Sequence, residues 1–146
     1  MKSEMIESKV LLFNSYEIKK IELNVIPPSQ FIPEDQNNKV IMDTQFSKKI
    51  IKFNDTEFSV NLGVKISGPD SEQKKVIDLK VCMEGHFKII GNLPSDKEFE
   101  NNSNINAVSI LFPYLRMAVS TISMLSNHGQ IDLPPMNIIR WFELEK

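Results

Sequence analysis

The sequence predicts an α+β fold: a four-stranded antiparallel sheet followed by a long helix and a short C-terminal helix. Three observations lead there. Apolar and polar residues alternate with a period of two through the first 90 or so positions. The spacing then changes to three and four, the period of a helix. The charge also thins out: from Asn101 onward only Arg116, Asp132, Arg140, Glu143, Glu145 and Lys146 are charged, against 17 basic and 19 acidic residues in the whole chain. The last third is therefore expected to lie against the sheet or against a partner. At 146 residues the chain suits one domain spanning 1–146.

In the first strand Ile21, Leu23 and Val25 alternate with Lys20, Glu22 and Asn24. Tyr16 and Ile18 run in the opposite parity, which predicts a bulge or bend near Lys19. Pro27, Pro28 and Pro33 break the pattern, so Ile26 to Asn38 is expected to be a crossing loop, carrying the apolar Phe31 and Ile32. Val40, Met42, Thr44 and Phe46 form the next strand, with a turn at Asn54-Asp55. Phe58, Val60, Leu62, Val64 and Ile66 form the third. Ile77, Leu79, Val81 and Met83, continued by Phe87 and Ile89, form the fourth. Gly68-Pro69-Asp70-Ser71 supplies the turn of an antiparallel hairpin between them. Alternation on all four strands means a sheet with one covered face.

The cover is a helix with Val108, Leu111, Leu115, Ala118, Ile122 and Leu125 on one stripe. Pro113 is expected to kink it or mark its start, and Gly129 to stop it. A second apolar stripe, Ile110, Tyr114, Met117, Thr121 and Met124, lies beside the first. Ser109, Arg116, Ser120, Ser123 and Asn127 make a narrow polar edge. One stripe suffices to cover a sheet. The second needs another surface: a second subunit, a bound ligand or a crossing loop folded over it. After Pro134-Pro135, Asn137 is placed to cap a short helix from Ile138 to about Leu144.

Several function classes recede on composition. The net charge of −2 argues against a dedicated nucleic-acid binder. One cysteine, Cys82, excludes an internal disulfide framework and a multi-cysteine zinc site. The first apolar run is only Val10-Leu11-Leu12-Phe13, too short for a signal peptide's core, and no run of about 20 apolar residues predicts direct membrane insertion. The expectation is a cytoplasmic protein. His86 and Cys82 share the outward parity of the fourth strand, and His128 lies at the expected helix end. None belongs to a spaced metal or catalytic motif. The glycines are scattered, so no phosphate loop is present. Asp35, Asp43, Asp55 and Asp70 read as loop or surface residues, not as a calcium loop. No enzyme, metal or cofactor is predicted. Met83, Met117, Met124 and Met136 suit either an adaptable apolar groove or ordinary core.

The stretch Ile110-Leu111-Phe112-Pro113-Tyr114-Leu115-Arg116 resembles the "ILFPYAR" signature of the SecB family of protein-export chaperones. Leu133-Pro134-Pro135-Met136-Asn137 with Trp141-Phe142 is similar to the family's "L-x-P-x-N-F…LF" ending. Val81, Gly85, Phe87, Ile89 and Gly91 match its fourth-strand pattern, and Tyr16, Ile21 and Leu23 its first. The resemblance covers roughly residues 10 to 142.

This resemblance implies a homotetramer, a dimer of dimers, with the long helices at the interface. Ile110, Tyr114, Met117, Thr121 and Met124 are its candidate interface residues. It implies binding of unfolded polypeptides in apolar grooves without a nucleotide. Phe31, Ile32, Met83, Ile138 and Trp141 are the candidate groove residues. Export members of the family use acidic residues on the outer sheet face to dock the motor ATPase of the translocase. The matching positions here are Lys20, Asn24 and Lys80, none of them acidic. Three readings compete: a chaperone of many unfolded preproteins supporting export, a dedicated chaperone of one client such as an antitoxin, and an enzyme built on His86 or Cys82.

Overall fold

Four strands, β1 (Val10–Ile26), β2 (Asp43–Lys52), β3 (Glu57–Pro69) and β4 (Val76–Ile90), make one antiparallel sheet in the order β1-β4-β3-β2. The computed structural model describes residues 10–26, 42–69, 76–127 and 129–145. Within these, the alternation sorts the faces as expected. Phe58, Val60, Leu62, Val64 and Ile66 of β3 and Ile77, Leu79, Val81, Met83, Phe87 and Ile89 of β4 are buried on the helix side. The turn after β2 closes through Asn54, whose Oδ1 accepts from the backbone of Thr56 and Glu57 at 2.9 and 2.8 Å.

β1 keeps its apolar residues on the helix side by slipping register twice, between Phe13 and Ser15 and between Ile18 and Lys20. The second slip is the bulge expected near Lys19. Because of the two inserted residues, Leu11, Phe13, Tyr16, Ile18, Ile21, Leu23 and Val25 stand opposite Ile89, Phe87, Gly85, Met83, Val81, Leu79 and Ile77. Without the slips each segment would present its apolar side chains to opposite faces. Phe13, Phe87 and Phe58 stack in a row across three strands, with centroids 5.1 and 5.5 Å apart.

The helix begins twelve residues earlier than Val108. Helix α1 (Asp96–Asn101) opens on a capping box: Glu98 N donates to Ser95 Oγ, and Ser95 N donates to the Glu98 side chain. A π-helical turn over Asn102–Ala107 joins it to α2 (Val108–Leu125). In that turn side chains donate to carbonyls four residues back. Asn102 Nδ2 reaches Glu98 O at 3.0 Å, Ser103 Oγ reaches Phe99 O at 2.9 Å, and Asn104 Nδ2 reaches Glu100 O at 3.1 Å. Glu98 O and Phe99 O also accept from the Asn102 backbone N–H, so the short polar side chains add second donors as the turn widens. Pro113 therefore lies inside the helix and does not mark its start.

α2 buries the expected Val108, Leu111, Leu115, Ala118 and Ile122, and Phe112 and Val119 as well. Leu125, the last residue of α2, is 77% exposed instead of buried with the rest of that stripe. Leu111 sits over Gly85: a Cβ at that glycine would stand 3.1 Å from Leu111 Cδ1 and 2.9 Å from Phe87 Cε2. The stretch Asp96–Leu125 is, by length and composition, apolar enough to cross a bilayer. Much of that apolar content lies against the sheet, with Leu111, Leu115 and Val119 fully buried.

The helix stops at Asn127, which adopts the left-handed conformation at φ 62°, and not at Gly129 (φ 113°), which turns the chain two residues later. The polar edge of α2 then holds the returning segment. Arg116 Nε donates to Leu133 O at 2.9 Å, Ser120 Oγ to Asp132 Oδ1 at 2.8 Å, and Ile131 N to the buried Ser123 Oγ at 2.7 Å. That segment has no strand or helix of its own to satisfy its backbone, so the helix side chains do so. Helix α3 (Ile138–Leu144) follows, capped as expected by Asn137, whose Oδ1 accepts from Arg140 N at 3.0 Å.

Candidate functional site

The candidate site lies where α3 meets β2. The Asn137 cap sets the phase of α3, so Ile138 and Phe142, four residues apart, turn inward and are buried. Trp141 is half-buried and faces Phe46 of β2 at 6.2 Å between centroids, and Phe46 faces Phe112 of α2 at 5.7 Å. Between them opens a cavity of about 320 Å³ lined by Phe46, Met136, Asn137, Arg140, Trp141 and Leu144.

A buried charge lies on the other side of Trp141, outside the cavity lining. Lys48 leaves β2 on the helix side, and its side chain is only 3% exposed. The ammonium lies 4.6 Å from the centre of the Trp141 ring and 5.3 Å from that of Phe142. Glu145 Oε1 is 2.8 Å away, close enough to pair but off the hydrogen-bonding direction. Lys52, next along the same face, stands 4.5 Å over Phe99 and 3.9 Å from Asp55. Two aromatic faces and a half-exposed carboxylate compensate Lys48 for its desolvation.

A second apolar surface is open. On the helix side of β1, Ile18, Ile21 and Val25 are exposed, as are Met117, Thr121 and Met124 on α2. Ile110 and Tyr114 are half-buried, and Tyr114 packs on Phe13 and Tyr16 at 5.6 and 4.7 Å. The expected interface stripe is thus divided: Tyr114 lies against β1, Ile110 packs on the core, and the other three are exposed.

The groove candidates separate in the same way. Trp141 lines the cavity and Ile138 lies buried at the base of α3. Met83 is a core residue under the helices, 1% exposed, because its strand parity points it inward. Phe31, Ile32 and His128 fall outside the described residues. Phe46, Asn137, Arg140 and Leu144 were not anticipated as lining. Asn137 as cap fixes the phase that brings 140, 141 and 144 to one side, but the contact with Phe46 is tertiary.

On the outer face, His86 Nε2 lies 3.3 Å from Glu84 Oε1, and Lys19 lies 3.7 Å from the same carboxylate. Lys19 also bonds Glu17 at 3.0 Å. That hydrogen bond, then the charge of Lys19, holds the Glu17 carboxyl below its ordinary value; the same bond and the charges of Glu17 and Glu84 raise Lys19. Cys82 pairs with Lys20 and Gly63 in the ladder, and Glu84 stands between Cys82 and His86 on the strand. No group of three metal-ligating side chains occurs among the described residues.

The family described as preprotein translocase subunit SecB matches residues 7–146. The chain belongs to the SecB family. A protein from Methanocaldococcus jannaschii described as uncharacterized protein MJ0357 is 29% identical over 134 residues, which cover 88% of this chain and 79% of that one. The Mycobacterium tuberculosis SecB-like chaperone Rv1957, solved in complex with a ChAD peptide from the HigA1 antitoxin Rv1956, has the same fold. Its TM-score is 0.65 at 13% identity, over 87% of this chain and 91% of that one. On this SecB-family sheet Lys20, Asn24 and Lys80 all lie on the outer face. Lys20 pairs with Glu22 at 3.1 Å, and Glu22 stands opposite Lys80 in the ladder.

Proposed function

We propose that the protein is a chaperone that binds non-native polypeptides in the apolar cleft between α3 and β2, without a nucleotide, and supports protein export. The observation that carries the reading is the open cavity with Trp141 on its wall, on a SecB-family fold. Such a cleft accepts apolar side chains of many sequences. Burial contributes about 25 cal/mol per Å² of apolar surface, and ordering of the client chain offsets part of it. The protein acts as a cytoplasmic homotetramer, a dimer of dimers. The exposed Met117, Thr121 and Met124 on α2 supply its interface, and several clefts engage one long client with avidity. It is not an enzyme: His86 and Cys82 belong to a flat sheet face, with Glu84 between them.

A dedicated chaperone of one client, such as an antitoxin, is the second reading. The lack of acidic residues at Lys20, Asn24 and Lys80 favours it, because a basic docking element of a translocase motor would meet lysines there. Light scattering on a sizing column, with and without a permanently unfolded apolar polypeptide, tests both. A species of about 67 kDa, four chains of 16.8 kDa, that shifts on adding the polypeptide supports the general chaperone. A tetramer indifferent to it supports the dedicated one. A monomer indifferent to it refutes both.

A further inference from the structure

We propose that Arg140 makes the α3–β2 cavity select client segments in which a bulky apolar side chain is flanked by Asp or Glu. The inference rests on the reading of this cavity as the client site and concerns which segments it prefers.

Four of the six lining residues, Phe46, Met136, Trp141 and Leu144, offer only apolar or aromatic surface to an anchor side chain. A cavity of about 320 Å³ is at the small end of ligand sites, a size for one large side chain and not for a folded element. The other two lining residues are polar, and they are not equivalent. Asn137 Oδ1 is engaged by Arg140 N as the helix cap. The Arg140 guanidinium, by contrast, has no carboxylate within ion-pair distance among the described residues. The neighbouring cation, Lys48, is already matched by Glu145 beneath the Trp141 ring. Among the described residues, therefore, one exposed positive charge without a carboxylate partner stands at the wall of an apolar cavity.

A guanidinium offers a planar fork of donors that fits a carboxylate through two parallel hydrogen bonds. The apolar anchor supplies most of the affinity. The charge at the wall supplies discrimination: an acidic flank is attracted and a basic flank repelled. Exposed pairs of this kind are weak, so the preference is about three- to ten-fold at low salt, and it shrinks as the Debye length falls.

Trp141 is the one tryptophan of the chain, so its emission reports occupancy of this cavity directly. The experiment titrates the full chain with two peptides that share a Phe anchor and differ only in carrying Asp or Lys on either side. Trp141 emission and peptide anisotropy are both read, for the wild type, Arg140→Gln and Arg140→Glu. Arg140 is exposed, so neither substitution disturbs the core. The expected result is an acidic preference in the wild type, its loss in Arg140→Gln and its reversal in Arg140→Glu, with Trp141 responding throughout. Peptides that bind and move Trp141 with no acidic preference, or with one that survives both substitutions, overturn this inference and leave the client site standing. Peptides that bind without moving Trp141, or do not bind, remove the client site and the inference with it. An emission that changes on simple dilution gives the cavity to a second copy of the chain and overturns the inference.

Discussion

Replacing Gly85 by alanine tests how the helix is seated on the sheet. The new Cβ would lie 2.9 Å from Phe87 Cε2 and 3.1 and 3.2 Å from the two methyls of Leu111, with Leu111 and Phe87 both fully buried. Contacts that short push against a close-packed core, and overpacking of this kind costs about 1–3 kcal/mol. The alanine also narrows the unfolded ensemble, which returns about 0.4–1 kcal/mol. The net expectation is a destabilisation of about 0.5–2 kcal/mol, a fall in Tm of a few degrees for a chain of this size. The background decides the cause. Leu111→Ala alone costs about 2–5 kcal/mol through lost burial and a cavity. In that background the two methyl contacts are gone and Phe87 has room to give, so Gly85→Ala costs less than in the wild type. Urea unfolding of the wild type, the two single variants and the double variant, at one protein concentration, measures the cycle. If Gly85→Ala costs the same with and without Leu111, agreeing within about 0.5 kcal/mol, the account of helix seating is refuted.

Other consequences are open to the same methods. Asp132 is held below its ordinary value by hydrogen bonds from Gln130 and Ser120, with a smaller contribution from Arg116. Its stabilisation is therefore complete above the unfolded value of about 3.9 and lost as pH falls through the lower folded value. Asp132→Asn should be less stable than the wild type at pH 7, with the gap closing in acid, when unfolding is followed against pH. Asn127→Ala should cost about 1 kcal/mol for its left-handed backbone while Asn127→Gly stays close to neutral; equal losses in thermal unfolding would contradict this. Glu145→Gln leaves the Lys48 ammonium buried with only aromatic faces, at a cost of about 1 kcal/mol, well under that of a fully buried pair because Glu145 is half in water. Lys48→Met should restore or exceed wild-type stability in the same denaturation assay, and a large loss would show that the ion pair itself is stabilising.

Much of the sheet was legible in the sequence because one face is covered and the other is not: Phe58 to Ile66 and Ile77 to Ile89 carry that contrast residue by residue. The parity change at Ile18 announced one bulge. The other, at Phe13, was hidden because Asn14 and Ser15 interrupt the apolar run without a rival pattern. The true start of the helix was obscured by Asn101, Asn102, Ser103, Asn104 and Asn106, side chains that compete with the helical backbone and lower propensity. Here three of them make that competition part of the helix by bonding its carbonyls, while the Ser95–Glu98 capping box was the available signal. The cavity was harder to read. Trp141 was singled out, but Phe46 is 95 positions away and becomes a wall only once β2 forms the far edge of the sheet. Arg140 stands out only because, among the described residues, Lys48 beside it has a carboxylate partner and Arg140 has none.

The two edges of the sheet are unlike, and this governs how copies of the protein can be added to one another. β2 turns Lys48 and Lys52 toward the helix side, and a strand laid along it would have to bury its own apolar side chains beside those ammonium groups. β1 has seventeen residues and exposes Ile18, Ile21 and Val25 on that same side. A chain with two receptive edges can join head to tail without limit and grow into fibrils. With one edge refused, sheet-to-sheet addition must use β1 from both molecules, and a contact between identical edges is complete when two have met. A sheet with edges so arranged is in this way kept from propagating itself from copy to copy.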